Sequence, residues 1–247
     1  MKYKFLIIML ALIVSACSTK EKSIDVFMVG DSTMANKKTK VYPETGWGQV
    51  VDKYFDSLVT VHNHAVNGRS TKSFVDEGRW QVVLDSLTKG DFVLIQFGHN
   101  DQKHKDSTRY TIPFESYSEN LEKYVLETRE KGATPILLTS IVRRKFDENG
   151  QLVDTHGDYP VAMRQVAERL NVSLIDLQKL TEDLVQSMGD EPSKELYLWT
   201  LPTEKYPKGR EDNTHLRVEG AKKIAELAAR QLAELPNDLA EHIVVIN

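Results

Sequence analysis

Five short apolar runs, separated by segments of helical spacing, constrain the fold of this chain more than any other feature. They cover 24–29, 59–66, 92–97, 135–142 and 172–177, and each is rich in β-branched or aliphatic residues. A strand buried on both faces has no polar side to show, so it reads as an unbroken apolar run rather than an alternation. The segments near 48–57, 79–88, 113–131 and 159–170 carry apolar residues at helical spacing, and 221–235 adds a last helix. Strand and helix in alternation predict an α/β chain built on a five-stranded parallel sheet with helices on both faces. Ligands of such sheets gather outside the carboxyl ends of the strands. Ser32 follows the first run, Gly68 the second and Asn100 the third, which puts all three on that edge. His215, expected to open the last helix, has to return to the same edge if the four are to meet.

The chain begins with Lys2 and Lys4, an apolar run 5–14, and then Ser15-Ala16-Cys17. That is the form of a secretory leader with the cysteine of a bacterial lipobox, and the run is too short for a membrane span. The expectation is a leader over 1–16, a lipid-bearing Cys17 with a polar tether to residue 23, and one domain over 24–247. The product would be an exported lipoprotein, periplasmic or on the cell surface, touching the membrane through its lipid only. Cys17 is the sole cysteine, so neither a disulfide nor a thiolate metal cluster is expected. A net charge of −4, from 36 acidic and 32 basic side chains, argues against nucleic acid as a partner.

The chemistry lies in four short blocks. Asp212 and His215, three residues apart in Gly209-Arg210-Glu211-Asp212-Asn213-Thr214-His215-Leu216, answer Gly30-Asp31-Ser32-Thr33 near the other end. A serine hydroxyl is a weak nucleophile until a neutral imidazole takes its proton, and a carboxylate is needed to fix the tautomer of that imidazole. Between them, Asn67-Gly68-Arg69-Ser70 and Gly98-His99-Asn100-Asp101 offer donors for an oxyanion, each worth about 3 to 4 kcal/mol when preorganised. Taken singly, these blocks also read as a helix cap, turn residues or a strand end. Jointly, in this order and at strand ends, they are the parts of an esterase. Asp31 adjoins Ser32, and adjacent side chains rarely face each other, so Asp31 is expected to hold the loop, as is His99. His62 and His64 share a strand face but lack a third metal ligand, and Asp154-Thr155-His156 reads as loop. Arg143 and Arg144 leave the fourth run, either solvated or in contact with an acidic sugar. Trp199 is a better candidate for a sugar platform than Trp47 or Trp80.

With Gly30-Asp31-Ser32-Thr33-Met34-Ala35, Gly46-Trp47-Gly48, Asn67-Gly68-Arg69-Ser70, Gln96-Phe97-Gly98-His99-Asn100-Asp101 and Asp212-Asn213-Thr214-His215-Leu216, the chain resembles the SGNH hydrolases, also called GDSL-type esterases. Within them it is most similar to the rhamnogalacturonan acetylesterase group. The resemblance implies a three-layer α/β/α sandwich with a flavodoxin-like sheet and no cofactor. It also implies Ser32 as nucleophile, His215 as general base, Asp212 as its orienting acid, and the Ser32 N–H, Gly68 N–H and Asn100 amide as oxyanion hole. Thr33 departs from the leucine of the family name, which weakens a lipase reading. The expected activity is removal of acetyl groups from a polysaccharide, pectic by preference, through an acetyl-serine. Polar rims over 101–106, 143–148 and 202–210 suit hydroxyls and carboxylates. The alternatives are a thioesterase, lipase or acyltransferase, which would need an apolar channel, and a non-catalytic glycan-binding lipoprotein.

Overall fold

A computed structural model of the chain describes residues 23–204 and 206–244, so the expected leader, Cys17 and the tether before Ser23 lie outside the described residues. Strands β1 (Ile24–Gly30), β2 (Val59–Asn63), β3 (Phe92–Gln96), β4 (Thr134–Leu138) and β5 (Ser173–Ile175) form one parallel sheet in the order β2-β1-β3-β4-β5. This is the expected doubly wound sheet. Alternate side chains of each strand serve opposite faces. Val26 and Met28 of β1 and Leu94 of β3 point into one core, with Val185, Ile224 and Leu232 from helices α5 (Leu177–Met188) and α7 (Val218–Ala233). Phe27, Val29, Val93 and Ile95 enter the other. There they meet Phe74 of α1 (Thr71–Asp76), Trp80 of α2 (Arg79–Ser86), Tyr124 of α3 (Ser118–Glu130) and Val166 of α4 (Asp158–Leu170). β3 is buried along its whole length, as its unbroken apolar sequence requires.

Three local expectations change. The segment 48–57 forms two 3-10 turns, Trp47–Gln49 and Val51–Tyr54, instead of a helix. Here the chain is pressed against its own neighbour, and a Cβ at Gly48 would lie 2.7 Å from the Met34 carbonyl oxygen. The helix expected over 113–131 opens with a broken turn, Pro113–Tyr117, before α3 proper. The largest change falls in 189–215, to which the sequence assigns neither strand nor helix. It folds into α6 (Asp190–Ser193) and an antiparallel hairpin of β6 (Tyr197–Thr200) and β7 (Arg210–Leu216). His215 therefore stands on a strand two residues before Arg217, the cap of α7, and does not open the helix.

Gly220 sets how closely this hairpin meets the body. It lies on the buried face of α7, where an added Cβ would sit 1.9 Å from the carbonyl oxygen of Leu196, just before β6. Inside a helix, glycine to alanine ordinarily gains about 1 kcal/mol. Here overpacking against backbone should reverse the sign, and Gly220→Ala should lose about 1–3 kcal/mol in urea unfolding. A stabilised variant would show that α7 does not depend on this contact.

Candidate active site

The sheet reverses its winding between β1 and β3, and the crevice at their carboxyl ends is where such sheets take ligands. The turn after β1 carries Ser32. It is closed by Met34 and Ala35 N–H groups donating to the Asp31 carbonyl, and it rests on a buried chain of donors. The Trp47 indole donates to Gln96 (2.6 Å), the Gln96 amide to the Thr33 hydroxyl (3.0 Å), and that hydroxyl to Asp31 (2.9 Å). Asp31 also accepts from the Thr33 N–H, and its second oxygen is 3.2 Å from His99 Nδ1. Burial alone would raise the Asp31 carboxyl, but His99 and the Thr33 donors outweigh it and hold it below the usual carboxylate range. Both residues thus hold the loop, Asp31 by direct bonds and His99 by contact.

Strand β7 brings the other partners. His215 Nε2 lies 3.0 Å from Ser32 Oγ, and His215 Nδ1 lies 2.9 Å from Asp212 Oδ2. The spacing of three works because Asp212 Oδ1 also accepts the backbone N–H groups of Thr214 and His215, which curls the strand end around the carboxylate. Burial pushes the Asp212 carboxyl up, but the His215 ring and these N–H groups draw it far below its ordinary value. An ionised Asp212 only accepts, so it fixes the proton on Nδ1 and leaves Nε2 to receive one from Ser32.

Gly68 and Asn100 line the same pocket as Ser32, His215 and Asp212, a space of about 530 Å³. Gly68 has φ +78°, a left-handed conformation that glycine adopts without strain. The Asn100 amide donates to the Arg69 carbonyl, joining the loops after β2 and β3. Asp101 reinforces the joint. Fully buried, it accepts from the Thr71 N–H (3.0 Å), the Thr71 hydroxyl (2.6 Å) and the Thr111 hydroxyl (3.1 Å). Burial pushes its carboxyl up to about 7 against these bonds.

Of the three residues expected to touch substrate, only Arg143 lines this pocket, and its guanidinium donates to the Thr155 and His99 carbonyls. Arg144 is 4% exposed and is bonded to Asp190 and Asn213, so it braces the hairpin instead of meeting a sugar. Trp199 belongs to a separate groove with Tyr42 and Pro43. Its indole donates to Asn213, and its ring carries the Lys194 ammonium at 4.3 Å and the Arg144 guanidinium at 5.1 Å, which leaves it a poor platform. His62 pairs with Asp25, and His62 and His64 stack on Phe27. His156 is buried with its ring against His99. Sequence reading missed Glu44 in the pocket wall, and held Asn67 and Lys103 only as members of a donor block and of the polar rim 101–106. Lys37 ties the first two together, at 2.8 Å from Glu44 and 2.7 Å from Asn67. Only its surroundings in space mark Glu44 out.

Comparison with known proteins places the chain in a family. Residues 28–223 match the GDSL-like Lipase/Acylhydrolase family. Rhamnogalacturonan acetylesterase RhgT of Bacillus subtilis is 45% identical over 226 residues, covering 91% of this chain and 96% of its own. The probable rhamnogalacturonan acetylesterase YesY of the same organism is 36% identical, over 89% of this chain and 97% of its own. A crystal structure of the Bacillus subtilis protein YxiM superposes with a TM-score of 0.72 at 27% identity, over 86% of this chain and 57% of that one. Axe2, an acetylxylan esterase from Geobacillus stearothermophilus, shares the fold with a TM-score of 0.63 at 20% identity, over 85% of this chain and 94% of that one. The chain belongs to the GDSL-like lipase/acylhydrolase family and is a serine-type esterase of the SGNH kind.

Proposed function

We propose that this esterase removes acetyl groups from a pectic polysaccharide of the rhamnogalacturonan type. The carrying observation is the unbroken line from Ser32 Oγ through His215 to Asp212 at the floor of a polar pocket. The relatives RhgT and YesY, named for rhamnogalacturonan, support the substrate. Ser32 Oγ attacks the acetyl carbonyl carbon while its proton passes to His215 Nε2. The oxyanion is met by the N–H groups of Ser32 and Gly68 and by the Asn100 amide. As the tetrahedral species collapses, the bond from the carbonyl carbon to the sugar oxygen breaks and Nε2 returns the proton to that oxygen. Water, losing a proton to the same nitrogen, then releases acetate and restores Ser32.

The wall explains why the acyl group is short. Glu44, Asn67, Asn100, Lys103 and Arg143 surround the serine, so a long acyl chain finds nothing apolar to receive it and forgoes about 0.8 kcal/mol per methylene. We also infer export. The leader form of 1–16 supports lipid attachment at Cys17, and the Bacillus subtilis protein YqeF, 25% identical over 193 residues, is described as an uncharacterized lipoprotein.

Ser32→Ala and His215→Ala should each lower turnover about a thousandfold or more with an unchanged circular dichroism spectrum, and Asp212→Ala should cost less, because the imidazole is then misoriented but still basic. Near wild-type acetate release by Ser32→Ala would end the serine mechanism. The pH dependence has a definite sign. The Asp212 carboxyl is depressed in the folded protein, so its stabilising bonds are present above its unfolded value and are lost only as pH falls through the folded one. Asp212 therefore stays ionised through mildly acidic pH. kcat/KM for 4-nitrophenyl acetate should fall as pH falls with a slope of one, and a slope of two would show Asp212 titrating as well. Among acetyl, butyryl and octanoyl esters the rate should drop in that order, and a preference for octanoyl would exclude the polysaccharide reading.

A further inference from the structure

A second groove, of about 470 Å³, opens beside the catalytic pocket. The two share a wall made by His99, Lys103 and Arg143, so a chain of sugars passing Ser32 can run from one into the other. The charge along this wall is one-sided. Arg109 lines the second groove and reaches back to the first, with Nη1 3.6 Å from where a Cβ on Gly68 would stand. Arg143 stands in both. Lys103, also in both, has an ammonium with no hydrogen bond or ion pair among the described residues. The nearby carboxylates are already engaged. Asp106 is paired with Arg109 and also accepts from Thr108, and Asp31 is buried against His99. Desolvation, and then repulsion from Arg109 and Arg143, draws the Lys103 ammonium below its ordinary range, with Asp106 and Asp31 opposing. Three cations that repel one another over a sugar-sized groove form a site that a ligand anion relaxes.

We propose that Lys103, with Arg109 and Arg143 behind it, forms a subsite that binds the carboxylate of a uronic acid in the sugar chain being deacetylated. It rests on the reading of Ser32 as nucleophile of the adjoining pocket. It goes further in naming which side chains select an acidic polymer over a neutral one and where along the polymer they do so. Lys103 is the donor with free valence, since the Arg143 guanidinium is bonded to carbonyls and Arg109 to Asp106. The carboxylate therefore displaces no existing bond.

The test is inhibition by unacetylated oligomers. Hydrolysis of 4-nitrophenyl acetate is measured with added digalacturonate or neutral xylobiose, for the full chain and for Lys103→Gln and Lys103→Arg. Digalacturonate should inhibit the wild type more strongly than xylobiose does, and added salt should weaken it. In Lys103→Gln its inhibition constant should rise about tenfold while that of xylobiose stays within about twofold, with partial recovery in Lys103→Arg. An unchanged digalacturonate constant in Lys103→Gln, or equal inhibition by the two oligomers in the wild type, overturns the subsite. Acetate release from rhamnogalacturonan and from acetylated xylan separates this from the substrate reading. Lys103-dependent inhibition in an enzyme that prefers xylan keeps the subsite and removes the pectic assignment. Deacetylation of rhamnogalacturonan with Lys103-independent inhibition does the reverse.

Discussion

The Asp31 carboxylate, fully buried one residue before Ser32, is the interaction on which the site is built. A charge in that position is costly unless every nearby donor is turned toward it. Meeting the requirement brings the Thr33 N–H and hydroxyl together and draws Gln96 from the end of β3 and Trp47 from the turn packed against α7 into one line. The loop carrying Ser32 is thereby fixed to the neighbouring strand and to one of the two cores. The hydroxyl stands in place before any substrate arrives, so binding need not organise it.

A second joint of the same kind fixes the loops of Gly68 and Asn100. Asn100 reaches across to the Arg69 carbonyl, and Asp101 beneath it gathers Thr71 and Thr111. Gly68 and Asn100 follow different strands, and these bonds tie their loops together. In the proposed mechanism the donors of Ser32, Gly68 and Asn100 would meet the oxyanion from loops already tied together, which favours electrostatic stabilisation of a transition state.

The sheet was legible in the sequence because its strands are buried on both sides and leave a signal of length and composition. Ser32, Gly68 and Asn100 were legible as to edge, since each directly follows such a run. The hairpin was not. β7 reads Arg-Glu-Asp-Asn-Thr-His-Leu, and its burial is mostly partial or absent until Leu216, so no periodicity announced a strand. α5 was hidden by Asp176, which ends β5 and caps the helix within one residue. Arg144 and Trp199 looked like surface groups because sequence shows charge and ring but not the partner. Asp190 and Asn213, which absorb Arg144, lie 46 and 69 residues away.

Ser32 and His215 thus stand on parts of different mechanical standing. Ser32 belongs to the central sheet, whereas His215 and Asp212 ride a two-stranded ribbon outside it. The ribbon is docked by Tyr197 and Leu216, buried in the core beside α7, and by bonds that include the Tyr197 hydroxyl to the Val142 carbonyl, the Thr45 N–H to Leu216, and Arg144 to Asn213. Two-stranded ribbons have little stability of their own, and proteins open in parts well before they unfold as a whole. Warming should therefore detach His215 from Ser32 while the sheet still stands, so the upper temperature for activity should follow the docking of the ribbon before the melting of the sheet.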